Sequence, residues 1–410
     1  MSNQVMRPTQ PSERLFHVDA LRGVAIFGIL VVNMMYFAWP FYYELADMEL
    51  WSGTGNAIAQ AVIWFFAESN FITMFSLLFG FGFFMLIQRA EARQQKVRPL
   101  FVRRLLVLLG IGLVHTLFFW VHDVLVYFAL VGFLLLLFRN KDARSLTTWA
   151  VASLTVPILF LLVSGGLGAL ARMSPEGAAE MEAALGGQRE MFTAMYDRAF
   201  EVYKSGSFAE VTMQRTTDFV LEFFGGFLAS SLFLIFAMFL TGLQFGKRGM
   251  LTEPDAHVNS WKSVLRWGLI VGVPTSALFT YTGFVGSSID LGWAGVLHGA
   301  LVYVAGPALC LAYVAGIVLA SRREGVRRVL APVAAVGRTA LSNYLLQSVV
   351  CTTLFYGYGF GLLGSIGPAA GLLLTVGIYA LQMIVSTYYV RHFRYGPAEL
   401  VWRKLTYREV

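Results

Sequence analysis

Charged residues are nearly absent from about ten stretches of this chain, each long enough to cross a bilayer, and the polar segments between them alternate in character. A helix of about 20 apolar residues spans the ~30 Å hydrocarbon core. Hydrophobic residues make up 57% of the 410 positions and charged residues 13%. A soluble domain is nearer about 25% charged, so a soluble globular fold is excluded. The expected fold class is all-α: a polytopic integral membrane protein of about ten transmembrane helices, with both termini cytoplasmic.

The apolar runs predict helices at residues 21–39, 58–87, 101–120, 124–138, 148–170, 219–245, 265–284, 293–319, 333–355 and 369–390. Every second connection is basic. Arg89, Arg93, Lys96, Arg98, Arg103 and Arg104 lie between the second and third runs, and Arg139, Lys141 and Arg144 between the fourth and fifth. Lys247, Arg248 and Lys262 follow the sixth, Arg322, Arg323, Arg327 and Arg328 the eighth, and Arg391, Arg394, Arg403, Lys404 and Arg408 the tenth. Basic loops stay in the cytoplasm. Glu44, Asp47 and Glu49 fit the opposite side, as does the uncharged stretch 357–367. The N-terminus does not read as a cleavable signal, because a polar stretch precedes the first run and no small-residue site follows it.

The organisation expected is a five-helix membrane half at 1–170, an extracytoplasmic helical loop at 171–218, and a second five-helix half with a basic tail at 219–410. Glu176, Ala179, Glu180, Met181 and Ala184 fall at helical spacing in the loop. It reads either as a cap over a site or as a solvated connector. Five spans on each side of it would place the halves in opposite orientations, the topology of inverted-repeat transporters.

Ionisable groups inside spans are costly and mark function or a paired interior. Asp19 and Arg22 are three residues apart at the start of the first helix, on one face. They are either an N-cap and a snorkelling arginine or a site for an anionic cofactor. Asn33 lies about 21 Å further along from Asp19 at 1.5 Å per residue, in the outer third of the membrane. Glu68 and Asn70 interrupt the second run at a comparable depth. The other reading starts that helix after Asn70 and leaves Glu68 interfacial. His115 sits inside the third run, and Asp123 follows across the tight Trp120-Val-His-Asp123 corner. A carboxylate beside an imidazole fixes its tautomer and raises its basicity, as a general base for a hydroxyl or amine requires. The alternative is an N-cap Asp123 and a separate interhelical His115. His298, near Asp290, is a weaker candidate. Arg338, Asn343 and Gln347 form a polar stripe that lines either a cavity or a helix contact.

The charge of +7 is explained by the loops, so no nucleic-acid partner is expected. Cys310 and Cys351 lie in apolar runs with no disulfide or metal pattern, and the six histidines are scattered, so no metal is expected. The lipid bilayer is the one partner the composition requires. A homodimer is compatible with the sequence.

Several motifs together resemble the YeiB-like family of bacterial inner-membrane proteins, with its C-terminal domain of unknown function. They are His17-Val-Asp-Ala-Leu-Arg-Gly23 leading to Asn33, Phe75-Ser-Leu-Leu-Phe-Gly-Phe-Gly-Phe83, and Arg103-Arg-Leu-Leu ahead of His115 with His-Asp-Val-Leu at 122–125. Gly337-Arg-Thr-Ala-Leu-Ser-Asn-Tyr-Leu-Leu-Gln-Ser348 and Phe393-Arg-Tyr-Gly-Pro-Ala-Glu-Leu-Val-Trp-Arg403 complete the set. The first helix is also distantly similar to that of the transmembrane acyltransferase group that includes heparan-α-glucosaminide N-acetyltransferase. That resemblance implies a cytoplasmic acyl-CoA or acetyl-CoA donor and an extracytoplasmic hydroxyl or amine acceptor, such as a sugar or lipid-linked glycan. The group's first-helix asparagine matches Asn33. Its histidine shortly after that helix has no counterpart between Met34 and Leu50. The expected machinery is therefore His115 as base, Asp123 orienting it, Asn33 on the acyl carbonyl and Glu68 on the acceptor. Arg22 and Arg338, with Asn343 and Gln347 deeper on the same stripe, would hold the donor. The competing expectation is a proton-coupled secondary transporter of a small solute, with Glu68, His115 and Asp123 relaying protons.

Overall fold

The computed structural model describes residues 14–94, 96–225, 227–286 and 292–407. They form α1 (Phe16–Ala38), α2 (Tyr42–Leu45), α3 (Thr54–Phe66), α4 (Asn70–Ala92), α5 (Val97–Phe118), α6 (Val124–Leu135), α7 (Ala143–Ala171) and α8 (Pro175–Ser205). These are followed by α9 (Phe208–Phe224), α10 (Phe227–Lys247), α11 (Val258–Val285), α12 (Trp293–Ala320), α13 (Glu324–Arg338), α14 (Ala340–Phe355), α15 (Pro368–His392) and α16 (Pro397–Tyr407). No strand occurs among the described residues. Seven helical segments there are long and apolar enough to cross a membrane, and the bent pair α13–α14 makes eight.

Each apolar run holds a helix, but three runs expected to be continuous are broken. The run 58–87 divides into α3 and α4 at Ala67–Ser69. Ser69 sits in the left-handed region at φ 59°, which a residue with a β-carbon enters only when its surroundings hold it there. The run 219–245 divides between α9 and α10. Gly225 closes α9, its N–H bonded to the Leu221 carbonyl at 2.6 Å. The run 333–355 bends by 77° between α13 and α14. That bend has an identifiable cap. Glu399 of α16 accepts hydrogen bonds from the backbone N–H groups of Leu341 (2.7 Å) and Ser342 (3.3 Å) and from the Ser342 hydroxyl (2.5 Å). The unsatisfied N-terminal donors of α14 are thus met by a carboxylate from another element, as a helix start requires.

Helix α1 is the spine. It packs against α4 and α12 and against α13, α14 and α15, so segments from before and after the 171–218 stretch are interleaved around it. The approach to α13 is very close. A β-carbon on Gly337 would lie 1.8 Å from the Asp19 carbonyl oxygen, and one on Gly23 would lie 2.0 Å from that of Val333. Small residues at such crossings let helix backbones approach, the main source of helix association in lipid. We expect Gly337→Val to abolish monodisperse folding in detergent, by fluorescence-detected size exclusion, because both obstructions are backbone and overpacking costs about 1–3 kcal/mol or more. Gly377→Ala on α15, where a β-carbon meets nothing within 4 Å, should leave the profile unchanged.

Candidate functional site

Two cavities follow one another along α1. The first, about 260 Å³, is lined by Arg22 and Ile29 of α1, and the second, about 880 Å³, by Ile29, Asn33 and Tyr36. Ile29 and Val124 line both. A thin septum at the start of α6 therefore separates them. Arg22 and Asn33 are about 16 Å apart along the helix at 1.5 Å per residue.

The larger cavity gathers four carboxylates, from Glu44, Glu68, Asp123 and Glu222, and one imidazole, from His122. No lysine or arginine lines it. The break after α3 is what delivers Glu68: the chain leaves the helix there, and the side chain turns inward. Glu44 belongs to α2 and accepts hydrogen bonds from the hydroxyls of Tyr36 (3.0 and 3.1 Å) and Tyr43 (3.0 Å). Burial raises its carboxyl above the usual range, partly offset by those two phenols and by nearby His122. His122 Nδ1 lies 2.8 Å from Glu222 Oε2, and the pair is largely buried. The rings of Tyr36, Phe41 and Trp120 pack round that imidazole, at centroid distances of 5.4, 4.9 and 5.3 Å. A histidine beside a carboxylate and facing a cavity is an acid–base candidate.

Helix α8 closes this cavity with Gln188, Met191, Phe192 and Met195. Ser174 caps the helix, accepting from the Gly177 N–H at 3.0 Å. Its far end and α9 are pinned by buried Asp218. That carboxylate accepts from Tyr42 (2.8 Å), Tyr203 (2.5 Å) and Gln214 (2.7 Å). The 171–218 stretch thus covers the cavity.

His115 and Asp123 meet, as expected across their corner, with Nδ1 to Oδ1 at 2.9 Å. The expected placement of the imidazole is corrected. His115 is 2% exposed and lines neither cavity. Its Nε2 has no hydrogen-bond partner. Gly112 lies beside Asp123 and holds α5 tight against the start of α6, so the imidazole packs behind the septum. Asp123 reaches the larger cavity. It also caps α6, accepting from the Val126 N–H at 3.0 Å, so its N-cap role and its His115 contact coexist.

The smaller cavity is cationic. Arg22, Arg89, Arg104, Arg338 and Arg403 line it, against the single carboxylate of Glu399, which α14 already engages. Arg22 pairs with Asp19 at 3.1 Å, as its helical spacing predicts. The Arg104 guanidinium lies 4.3 Å over the Trp402 ring. Arg338 holds a buried Nε with no hydrogen-bond partner.

Asn343 and Gln347 line neither cavity. Asn343 donates to the Val336 carbonyl (3.3 Å), to the Thr339 carbonyl (3.1 Å) and to the Ser386 hydroxyl (3.0 Å), so it braces the α13–α14 bend against α15. Gln347 donates to Gln382 at 2.9 Å and to the Ile26 carbonyl at 3.4 Å. These are interhelical contacts. His298 stands apart, stacked on Phe279 at 4.1 Å, and Asp290 lies outside the described residues.

Of the expected residues, Asn33, Glu68 and Asp123 share one cavity and Arg22 and Arg338 the other. Sequence reasoning missed His122, Glu222, Glu44 and Tyr344. Glu222 falls inside the predicted run 219–245, so the cost of a charge in a span was the signal for it. Glu44 reads in the sequence only as one of the charges on the side opposite the basic loops.

Residues 245–409 match a family model described as a protein of unknown function (DUF418). The whole chain is similar to the uncharacterized protein YxaH of Bacillus subtilis (strain 168), 36% identical over 419 residues, covering 98% of this chain and 96% of that protein. It is also similar to the uncharacterized protein YeiB of Escherichia coli (strain K12), 27% identical with 97% of each covered. An uncharacterized 39.9 kDa protein in the amylase 3′ region of Bacillus acidopullulyticus is 27% identical over 98% of this chain and 96% of its own. No solved structure matches.

The raised Glu44 carboxyl predicts a pH effect on stability. An acid whose folded pKa lies above its unfolded value costs stability increasingly as pH rises from the ordinary carboxylate range through the folded pKa. We expect the melting temperature of Glu44→Gln in detergent, minus that of the parent, to increase between pH 4.5 and 8. A constant or falling difference would contradict the burial argument.

Proposed function

The chain belongs to the family of YxaH and YeiB, whose C-terminal part carries the DUF418 region, and from that premise we propose that it is a membrane acyltransferase. It moves an acyl group from an acyl-CoA on one side of the bilayer to a hydroxyl or amine acceptor on the other. The carrying observation is the pair of stacked cavities with opposite charge that share the Ile29–Val124 septum.

In this reading Arg22 and Arg338, joined by Arg89, Arg104 and Arg403, bind the donor's phosphates, where guanidinium pairs bidentately. The thioester reaches the septum. Asn33, on the far side, holds the acyl carbonyl and stabilises its developing negative charge. His122 takes the acceptor's proton, with Glu222 Oε2 2.8 Å from its Nδ1. It replaces His115, whose place behind the septum suits a positioning role. Glu44 and Glu68 favour a neutral or amine-bearing acceptor over an anionic one, since no lysine or arginine among the described residues lines that cavity. The amine acceptor implied by the distant first-helix resemblance to the glucosaminide-acetylating group fits this electrostatic character.

The topology completes the reading. If the two shorter apolar helices, Val124–Phe138 and Ser231–Lys247, also cross, this reading has ten spans. In this reading the basic connections face the cytoplasm, with both termini and the cationic cavity on that side of a bacterial inner membrane. Opposed cavities also suit a proton-coupled transporter. That reading leaves the concentration of five arginines in one cavity without a task when the solute must leave the other.

Purified protein incubated with labelled acetyl-CoA and glucosamine should acetylate the amine. His122→Ala should lower the rate by about 10²–10⁴-fold, the range for loss of a general base. His115→Gln, which keeps a donor toward Asp123, should stay within about tenfold. The reverse order would return the base to His115.

A further inference from the structure

Tyr344 joins the two cavities by a hydrogen bond through the septum. Its side chain lines the cationic cavity. Its hydroxyl donates to Asp123 Oδ1 at 3.1 Å, and Asp123 lines the acidic cavity. The hydroxyl oxygen in turn accepts from the Val124 N–H at 3.4 Å, and Val124 is one of the two residues that line both cavities. The phenol oxygen therefore sits in the septum itself. His115 holds the same Asp123 oxygen at 2.9 Å, and the Val126 N–H holds the other at 3.0 Å.

Acyl transfer needs such a link. The acceptor loses a proton in the acidic cavity, whereas the sulfur that departs lies toward the cationic one. With two compartments separated by a packed septum, the proton must cross or the thiolate must leave as an anion.

Resting on the acyl-transfer reading, we propose that Tyr344 and Asp123 form a proton relay that carries the acceptor's proton to the departing thiolate. The acceptor's oxygen or nitrogen forms a bond to the acyl carbon, and its proton passes to His122. As the carbon–sulfur bond breaks, the bonding pair goes to sulfur, and Tyr344 gives that sulfur its phenolic proton. The phenolate takes a proton from Asp123, which has received one from His122 across the acidic cavity. Every group returns to its starting state, and the net proton transfer is from acceptor to thiol. His115 is a positioning residue here. It keeps Asp123 Oδ1 aimed at the phenol.

The test compares two donors that present the same phosphates and differ at the leaving atom: acetyl-CoA and its oxygen-ester analogue, in which oxygen replaces the thioester sulfur. An alkoxide is far more basic than a thiolate and depends more on the proton it receives. Full-length protein in detergent is assayed with glucosamine as the acceptor probe. Tyr344→Phe should slow transfer from acetyl-CoA by about tenfold or more, and from the oxygen ester by at least about tenfold beyond that. Asp123→Asn is the second variant, should Tyr344→Phe fail to fold, and should widen the gap between the donors in the same direction. Equal losses with both donors assign Tyr344 to packing alone and overturn the relay, as does an unchanged rate. If the parent protein transfers from neither donor, the acyl-transfer reading fails first and takes the relay with it.

Discussion

A buried carboxylate at the septum organises this molecule. Asp123 is 1% exposed, and an ionised group at such a place is tolerated only when its lone pairs are met. They are met by three different segments: His115 from α5, Tyr344 from α14 and the backbone of α6. One side chain thereby fixes where α5 ends, where α6 begins and how α14 crosses them. Removing one partner of such a group leaves the others uncompensated, which is why breaking a buried pair commonly costs about 3–5 kcal/mol.

From that fixed point the charge divides. Guanidinium groups collect on one side and carboxylates on the other, along a single helix whose rise sets their separation. Such segregation has an electrostatic cost inside each cavity, since like charges repel in a weakly screening interior. On the acidic side the cost is reduced by phenols: Tyr36 and Tyr43 on Glu44, and Tyr127 on Glu222 at 3.2 Å. On the cationic side aromatic faces serve, with Trp402 under Arg104 and Tyr395 under Arg403 at 4.3 Å each. Ligands of opposite charge would complete what the side chains leave unmet.

Depth was legible in the sequence, and azimuth was not. Counting 1.5 Å per residue along a helix places Asn33, Glu68 and Asp123 at one level, and they share a cavity. Arg22 and Arg338 likewise meet. The same counting cannot say which way a side chain faces once a helix breaks, because a break resets the rotation. The left-handed Ser69 and the bend at Thr339 are such breaks. Asn343 and Gln347, a stripe that could line either a cavity or a helix contact, are braces against α15 and α1. His115 and His122 flank the same corner, and sequence spacing favoured the one deeper in the apolar run. In the structure Gly112 lets α5 and α6 approach closely, His115 is buried off both cavities, and His122 lines the larger one. Family resemblance identified the kind of chain. It did not supply the base, because the motif histidine of the distant acyltransferases has no counterpart here.

The central claim is that an acyl group crosses the septum while its carrier does not. Proteoliposomes containing oriented protein, with doubly labelled acetyl-CoA on the side of the cationic cavity and glucosamine on the other, measure this directly. The account predicts acetyl label on the amine in the acidic-side compartment, with all CoA label retained on the donor side as free thiol. Both labels crossing together, or acetylated amine appearing on the donor side, would contradict it.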